Sequence, residues 1–139
     1  MSILSHLHDH PSQLPPSVRF LYTTRFPSSF DLHKILFFKR LCSVLKSQAS
    51  DNRFLDLYLT GDSGDIYREE SLIRGDLTNR IHRQRLSHED LIAALGDVKN
   101  RKEVVAYVCG PVGMTDEVVE LLRSAEGMEE QRVLCEKWW

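Results

Sequence analysis

The sequence predicts an α/β domain of the doubly wound kind, a parallel sheet with helices on both of its faces. Three observations carry this. Apolar runs of strand length alternate with segments of helical period. Most of those runs are nearly continuous in apolar residues, as strands covered on both faces are. Glycine and proline punctuate the junctions, above all in YVCGPVGMTDEVVELL at 107–122. A chain of 139 residues with 42% apolar content has room for one ordinary globular domain with a real core.

The elements follow in order. VRFLYTT at 18–24 is β-branched and aromatic, and Pro27-Ser28-Ser29 breaks the chain after Arg25, so a strand and turn are expected. From 30 to 46, Leu32, Ile35, Leu36, Leu41 and Leu45 recur at three- and four-residue steps, with Ser28 and Asp31 offering a helix start. RFLDLYLT at 53–60 is a buried strand interrupted only by Asp56 and closed by Gly61-Asp62-Ser63-Gly64. Residues 61–86 show no clear period, and 26 such residues are more than a compact domain leaves structureless, so a small strand or turn is expected there. SHEDLIAAL at 87–95 opens on a capping box, Ser87 with Asp90, and stops before Gly96. Residues 104–109 form the next strand, 114–125 a helix with Val118, Val119, Leu121 and Leu122 on its apolar side, and QRVLCE at 131–136 a final strand.

Composition narrows the partners. Eighteen basic and twenty acidic side chains give a formal net charge of −2, which favours a small molecule or a protein over nucleic acid or an anionic membrane. No apolar run reaches the length of a membrane span, and the N-terminus lacks the order of a signal peptide. Cys42, Cys109 and Cys135 are widely spaced and odd in number, which suggests free thiols in a reducing, intracellular compartment. His6 and His10 fall on one helix face, but only Asp9 stands near them as a further ligand, so no metal site is expected. Arg80, His82, Arg83 and Arg85 are a basic cluster that reads as a solvated face or an anion site.

Ligands of open parallel sheets bind outside the carboxyl ends of the strands, which places Arg25, Thr60-Gly61 and Cys109-Gly110-Pro111 on the expected rim. Cys109 at a strand-to-helix junction admits three readings. As a nucleophile it gains from a helix dipole. The phosphatase arrangement, however, needs an arginine where Thr115 stands, and Asp116 and Glu117 fall in the expected first turn and repel an oxyanion. Cys109 can instead simply pack while the glycines permit a tight turn. In the third reading the turn walls a nucleotide site, where glycine lets a flat ring approach the main chain.

YVCGPVGMTDEV at 107–118 and the ending QRVLCEKWW at 131–139 resemble the ferredoxin reductase-like family, whose nicotinamide-binding domain carries a Cys-Gly-Pro-x-x-Met turn. VRFLYTTR and the Phe-rich segment after it are similar to that family's second strand and helix. The resemblance implies a nucleotide-binding domain of ferredoxin reductase type and a flavoprotein oxidoreductase passing hydride from NAD(P)H to FAD, then electrons to a further acceptor. Cys109, Gly110 and Pro111 would line the place where nicotinamide meets flavin, with Met114 anchoring the helix behind them. Glu136 would lie near the cysteine, and Trp138 or Trp139 would cover the flavin. Thr24 and Arg25 fall where the family reads the adenosine ribose; the absence of an acid there tilts the choice toward NADP. The family also suggests a mitochondrial location.

Dinucleotide binding of this kind needs a glycine-rich turn after a first strand, and no GxGxxG or close variant occurs in the 139 residues. Residues 1–7 read as the helix that follows such a turn. The flavin-binding motif has no match either, so the expectation is a partial nicotinamide-binding domain, 1–139, that lacks its first, central strand. Its partners are the dinucleotide and a flavin domain of the same longer chain. Alone it is expected to be inactive and, with two sheet edges exposed, poorly soluble. The alternative is a non-catalytic nucleotide-binding or assembly module.

Overall fold

The structure, a computed structural model, describes residues 9–10, 12, 15–25, 39, 53–61, 78–82 and 84–138. Two compact units, Met1–Arg85 and Leu86–Trp139, divide it. The helices expected at 1–7 and 30–46 lie outside the described residues, as do His6, His8, Cys42, Arg83 and Trp139.

In the first unit, β1 (Val18–Arg25), β2 (Arg53–Thr60) and β3 (Thr78–His82) form a parallel sheet in the order β1-β2-β3. β2 is the middle strand, and its side chains are buried from Leu55 to Leu59 on both faces, as its apolar run requires. β1 pairs with β2 residue for residue, Val18 with Arg53 through Arg25 with Thr60, and is only half buried. The Arg19 guanidinium lies over the Phe54 ring, 5.3 Å from its centroid, and shields that end of the sheet. β3 is the small strand expected between 61 and 86.

The second unit starts with α1 (His88–Ala94). Ser87 caps it: its hydroxyl accepts from Asp90 N at 3.1 Å, and the Asp90 carboxylate accepts from Ser87 N at 3.0 Å, the reciprocal box read from the sequence. A 3-10 turn, Val98–Glu103, leads to β4 (Ala106–Pro111); α2 (Val112–Ser124) returns the chain to β5 (Val133–Trp138), which pairs parallel to β4. The core joins Leu91 and Leu95 of α1, Val119 and Leu122 of α2, and Val108 and Val133 of the two strands.

Several boundaries differ from expectation. β4 begins at Ala106 rather than 104 because Val104 N still closes the 3-10 turn on Arg101 O at 3.0 Å. α2 begins at Val112, with Pro111 as its N-cap, so no loop separates strand from helix. Proline fits there because its missing N–H and fixed φ (−56°) cost nothing at a helix start. Asp116 and Glu117 consequently lie in the second turn, not the first, and the expected repulsion at the helix entrance does not arise. β5 starts two residues late because Glu130–Arg132 are taken by a short 3-10 turn. The strands are parallel and helices pack on them, so the class is α/β. The five described strands form one sheet of three and one of two. β1 and β4 each have one side without a strand neighbour among the described residues.

Candidate functional site

The site candidate of the second unit is the outer face of β4 and β5. Alternation along the strands puts Tyr107, Cys109 and Pro111 on one face with Leu134, Glu136 and Trp138, their register partners. On the opposite face, Val108 and Val133 enter the core beneath α2. The outer face is largely uncovered: Leu134 is 49% and Trp138 43% exposed, and Cys109, Pro111 and Glu136 are exposed as well. A two-stranded sheet packed by helices on one side only leaves this surface to be covered by something else.

One hydrogen bond organises it: the Tyr107 phenol donates to Glu136 Oε2. Glu136 stands directly opposite Cys109 in the register, and Trp138 lies two residues further along the same face. Burial, followed by the Glu136 charge, pushes the Cys109 thiol above its ordinary range, while the Trp138 indole pulls the other way. The net direction disfavours thiolate, which weighs against the nucleophile reading on grounds independent of the missing arginine. Cys135, on the other face by alternation, is also a free thiol.

Gly110 has a packing reason for its small size. A Cβ built there would lie 2.2 Å from Met114 Cε and 3.7 Å from Thr115 Oγ1, so the methionine methyl occupies the side-chain space at 110. Met114 thereby holds the first turn of α2 against the strand. Thr115 is fully buried, and its Oγ1 has no hydrogen-bond partner among the described residues. Outside the face, Lys137 Nζ meets Asp116 Oδ1 at 2.5 Å, and Arg123 Nη2 donates to Val133 O at 3.2 Å, fixing α2 to β5. The Asp116 contact holds the Lys137 ammonium above its usual range.

The remaining site residues read from the sequence, Thr24 and Arg25, close β1 in the first unit. Thr24 Oγ1 donates to Arg25 O at 3.4 Å, and Arg25, exposed, pairs with Thr60 at the carboxyl end of the sheet. In the same unit is a cluster that the sequence reading missed. Asp56, the one acid in an apolar strand, is 5% exposed and holds His82 Nε2 at 2.8 Å. The His82 imidazole in turn stacks on the Tyr58 ring, centroids 4.4 Å apart at 13°. The interruption at Asp56 was visible in the sequence; its partner, 26 residues on in a strand without period, was not. His82 therefore leaves the expected basic cluster and serves the sheet, while Arg85 is exposed. No group of three or more His, Cys, Asp or Glu that could hold a metal occurs among the described residues. No described helix is long and apolar enough to cross a membrane.

Compared with family models, with curated proteins and with solved structures, the chain matches none.

Proposed function

We propose that this chain is the nicotinamide-binding part of a flavin-dependent oxidoreductase, a doubly wound α/β nucleotide-binding domain that receives NAD(P)H against the outer face of β4 and β5. The observation that carries the reading is the meeting of Cys109, Glu136 and Trp138, 27 and 29 residues apart from the cysteine in sequence, on one uncovered face. A flat heteroaromatic ring fits this surface. The exposed indole and Leu134 offer apolar area, and the uncharged Cys109 and the Glu136 carboxylate offer polar edges.

The fit is to the nicotinamide end alone. The sequence has no glycine-rich turn to hold a diphosphate, and the described residues hold no second aromatic slot for a flavin. Reduced nicotinamide supplies a hydride, two electrons and a proton together, to an acceptor that in this reading is FAD bound mainly outside these residues. The chain's own residues orient the donor ring: Trp138 by apolar contact, Cys109 as a neutral neighbour, and Glu136 by placing negative charge where the oxidised ring becomes cationic. Within the first unit taken by itself, Thr24 and Arg25 keep the role of ribose contacts that the resemblance implies. Arg25, with no acid beside it in β1, favours a 2′-phosphate.

The test is energy transfer from tryptophan to reduced nicotinamide. Saturable quenching of the indole emission by NADH or NADPH, with the half-saturating nucleotide concentration raised in Glu136→Gln, is the expected result; Trp138 and Trp139 are the only tryptophans of the chain, so the emission reports on this end of it alone. No saturable signal with either nucleotide removes the reading. The second reading, a binding or assembly module without catalysis, is favoured by the missing glycine turn. It prevails if nucleotide binds but the longer protein neither carries FAD nor oxidises NAD(P)H with an artificial acceptor.

A further inference from the structure

Tyr107 has no assigned part in the reading above, yet it enters the face two residues before Cys109 and donates its phenolic hydrogen to Glu136 Oε2. An exposed glutamate on a strand samples several rotamers, and restricting it costs side-chain entropy unless a partner fixes it. Here the phenol is that partner. It comes from the neighbouring strand, opposite Leu134 in the register and two residues from the thiol, so it fixes the carboxylate on the β4 side of β5. Among the described residues, the polar groups that share the face with Glu136 are Tyr107 and Cys109 from β4 and Trp138, two residues along β5.

We infer that Tyr107 is a positioning residue: it clamps the Glu136 carboxylate opposite Cys109, so that the exposed sulfur stays a neutral thiol on the face that receives the nicotinamide ring. The inference deepens the function proposed above and rests on it for its purpose; the clamp itself rests on the Tyr107–Glu136 hydrogen bond and the register. The purpose is chemical protection. A thiolate adds readily to electron-poor rings and is the form that oxidants attack, whereas a thiol does neither at a comparable rate. A solvent-exposed cysteine beside redox chemistry therefore survives as an orienting group only if its proton is retained. Glu136 supplies the negative charge that retains it, and Tyr107 keeps that charge in place. The Trp138 indole opposes them mildly by favouring negative charge on the sulfur.

The experiment is alkylation of the intact chain by iodoacetamide across the pH range, with Cys109 followed by peptide mass spectrometry. Tyr107→Phe removes one hydroxyl from a half-exposed ring. Both Tyr107→Phe and Glu136→Gln are expected to move the Cys109 profile to lower pH, each speeding reaction about threefold at about pH 8, the scale of a partly screened surface charge. Trp138→Phe is expected to move it to higher pH. Because Tyr107 acts through Glu136, the double variant should match Glu136→Gln alone. Tyr107→Phe with the wild-type profile, or effects of Tyr107→Phe and Glu136→Gln that simply add, overturns the inference. A second measurement covers any variant that folds poorly. In Glu136→Gln with Tyr107 kept, the phenolate absorbance that Tyr107→Phe removes should emerge at lower pH than in the wild type, and an unchanged tyrosine titration also overturns it. None of these readouts needs nucleotide. Their failure with nicotinamide binding intact removes only the clamp, and their success without nicotinamide binding removes only the function.

Discussion

Replacing His82 with leucine should loosen the three-stranded sheet more than a substitution at a strand end ordinarily does. Asp56 carries the only carboxylate of β2, its side chain 7% exposed, and His82, 29% exposed, is bonded to it at 2.8 Å. Removing one member of a buried ionic or polar pair costs roughly 3–5 kcal/mol, because the other stays in low dielectric without its partner. His82 is reached by water on one side, which brings this pair below that range, to about 2 kcal/mol. Loss of the ring stack on Tyr58 adds about 0.5–1 kcal/mol, for a total near 3 kcal/mol. His82→Gln keeps an N–H donor and should recover about half of it. Replacing both Asp56 and His82 with leucine removes both polar groups together and should be close to neutral. Hydrogen exchange of the 53–60 amides, read with urea unfolding, measures the loss where it occurs. A cost below about 1 kcal/mol for His82→Leu, or a double variant no more stable than the single one, would show that the contact does not hold β3 to β2.

Four further outcomes follow from the second unit. Arg101, 8% exposed, donates from Nε to Gly96 O at 3.0 Å and from Nη1 to Glu126 O at 2.9 Å, so Arg101→Met should cost about 2 kcal/mol and raise exchange at both helix ends. Thr115→Val removes a fully buried hydroxyl without a hydrogen-bond partner and should stabilise the unit by about 1 kcal/mol in urea; a loss of stability would mean that the hydroxyl has a partner after all. Gly96 (φ +73°) and Gly127 (φ +83°) both need the left-handed region, but only at Gly127 would a Cβ meet a backbone atom, Val98 O at 2.5 Å. Alanine should therefore cost about 1 kcal/mol at 96 and about 3 kcal/mol at 127, an order that urea midpoints check. Burial, then the bond to Glu136 and its charge, raise the Tyr107 phenol above its ordinary 10.0. The folded state thus holds that proton longer than the unfolded chain, and the stability it contributes is full below pH 10 and lost as pH rises beyond it. Glu136→Gln should flatten that alkaline decline in thermal unfolding.

How much of this was legible in the sequence depended on the range of the interaction. The capping box of α1 was readable because Ser87 and Asp90 are three residues apart and need only local geometry. β2 was readable because five consecutive buried residues leave little alternative for a short apolar run. The start of α2 was misjudged by two residues, since Gly110, Pro111 and Gly113 suggested a loop, whereas Pro111 caps the helix directly and Gly110 yields its space to Met114. β3 was expected only as some small strand or turn within 61–86 and could not be placed: TNRIH has no apolar alternation, and it joins the sheet through backbone pairing and the His82–Asp56 contact. On the candidate face, Cys109, Glu136 and Trp138 were singled out by motif resemblance, but Tyr107 was not. A tyrosine within an apolar strand looks like core until the register shows that it shares a face with Glu136.

The division into two sheets bears on the site as well as on the fold. β1 pairs only with β2 and β4 only with β5, so each has one side without a described strand neighbour. The two edges differ in chemistry. β1 carries Arg19 and Arg25 and is polar at its close, features that discourage unintended pairing. β4, from Ala106 to Pro111, has no charged residue, and Val105 just before it is 59% exposed, so only Pro111 at its end, which has no N–H to donate, resists another strand. The strand least protected at its edge is thus the one that presents Tyr107 and Cys109. A strand that paired with β4 would stiffen the backbone on which the thiol and the phenol are mounted, and would do so without touching the face they share with Glu136 and Trp138. Pairing along the β4 edge and preorganisation of the face are in this sense one event, which is the physical reason to expect a ligand of that face to bind less tightly wherever the β4 edge is left open.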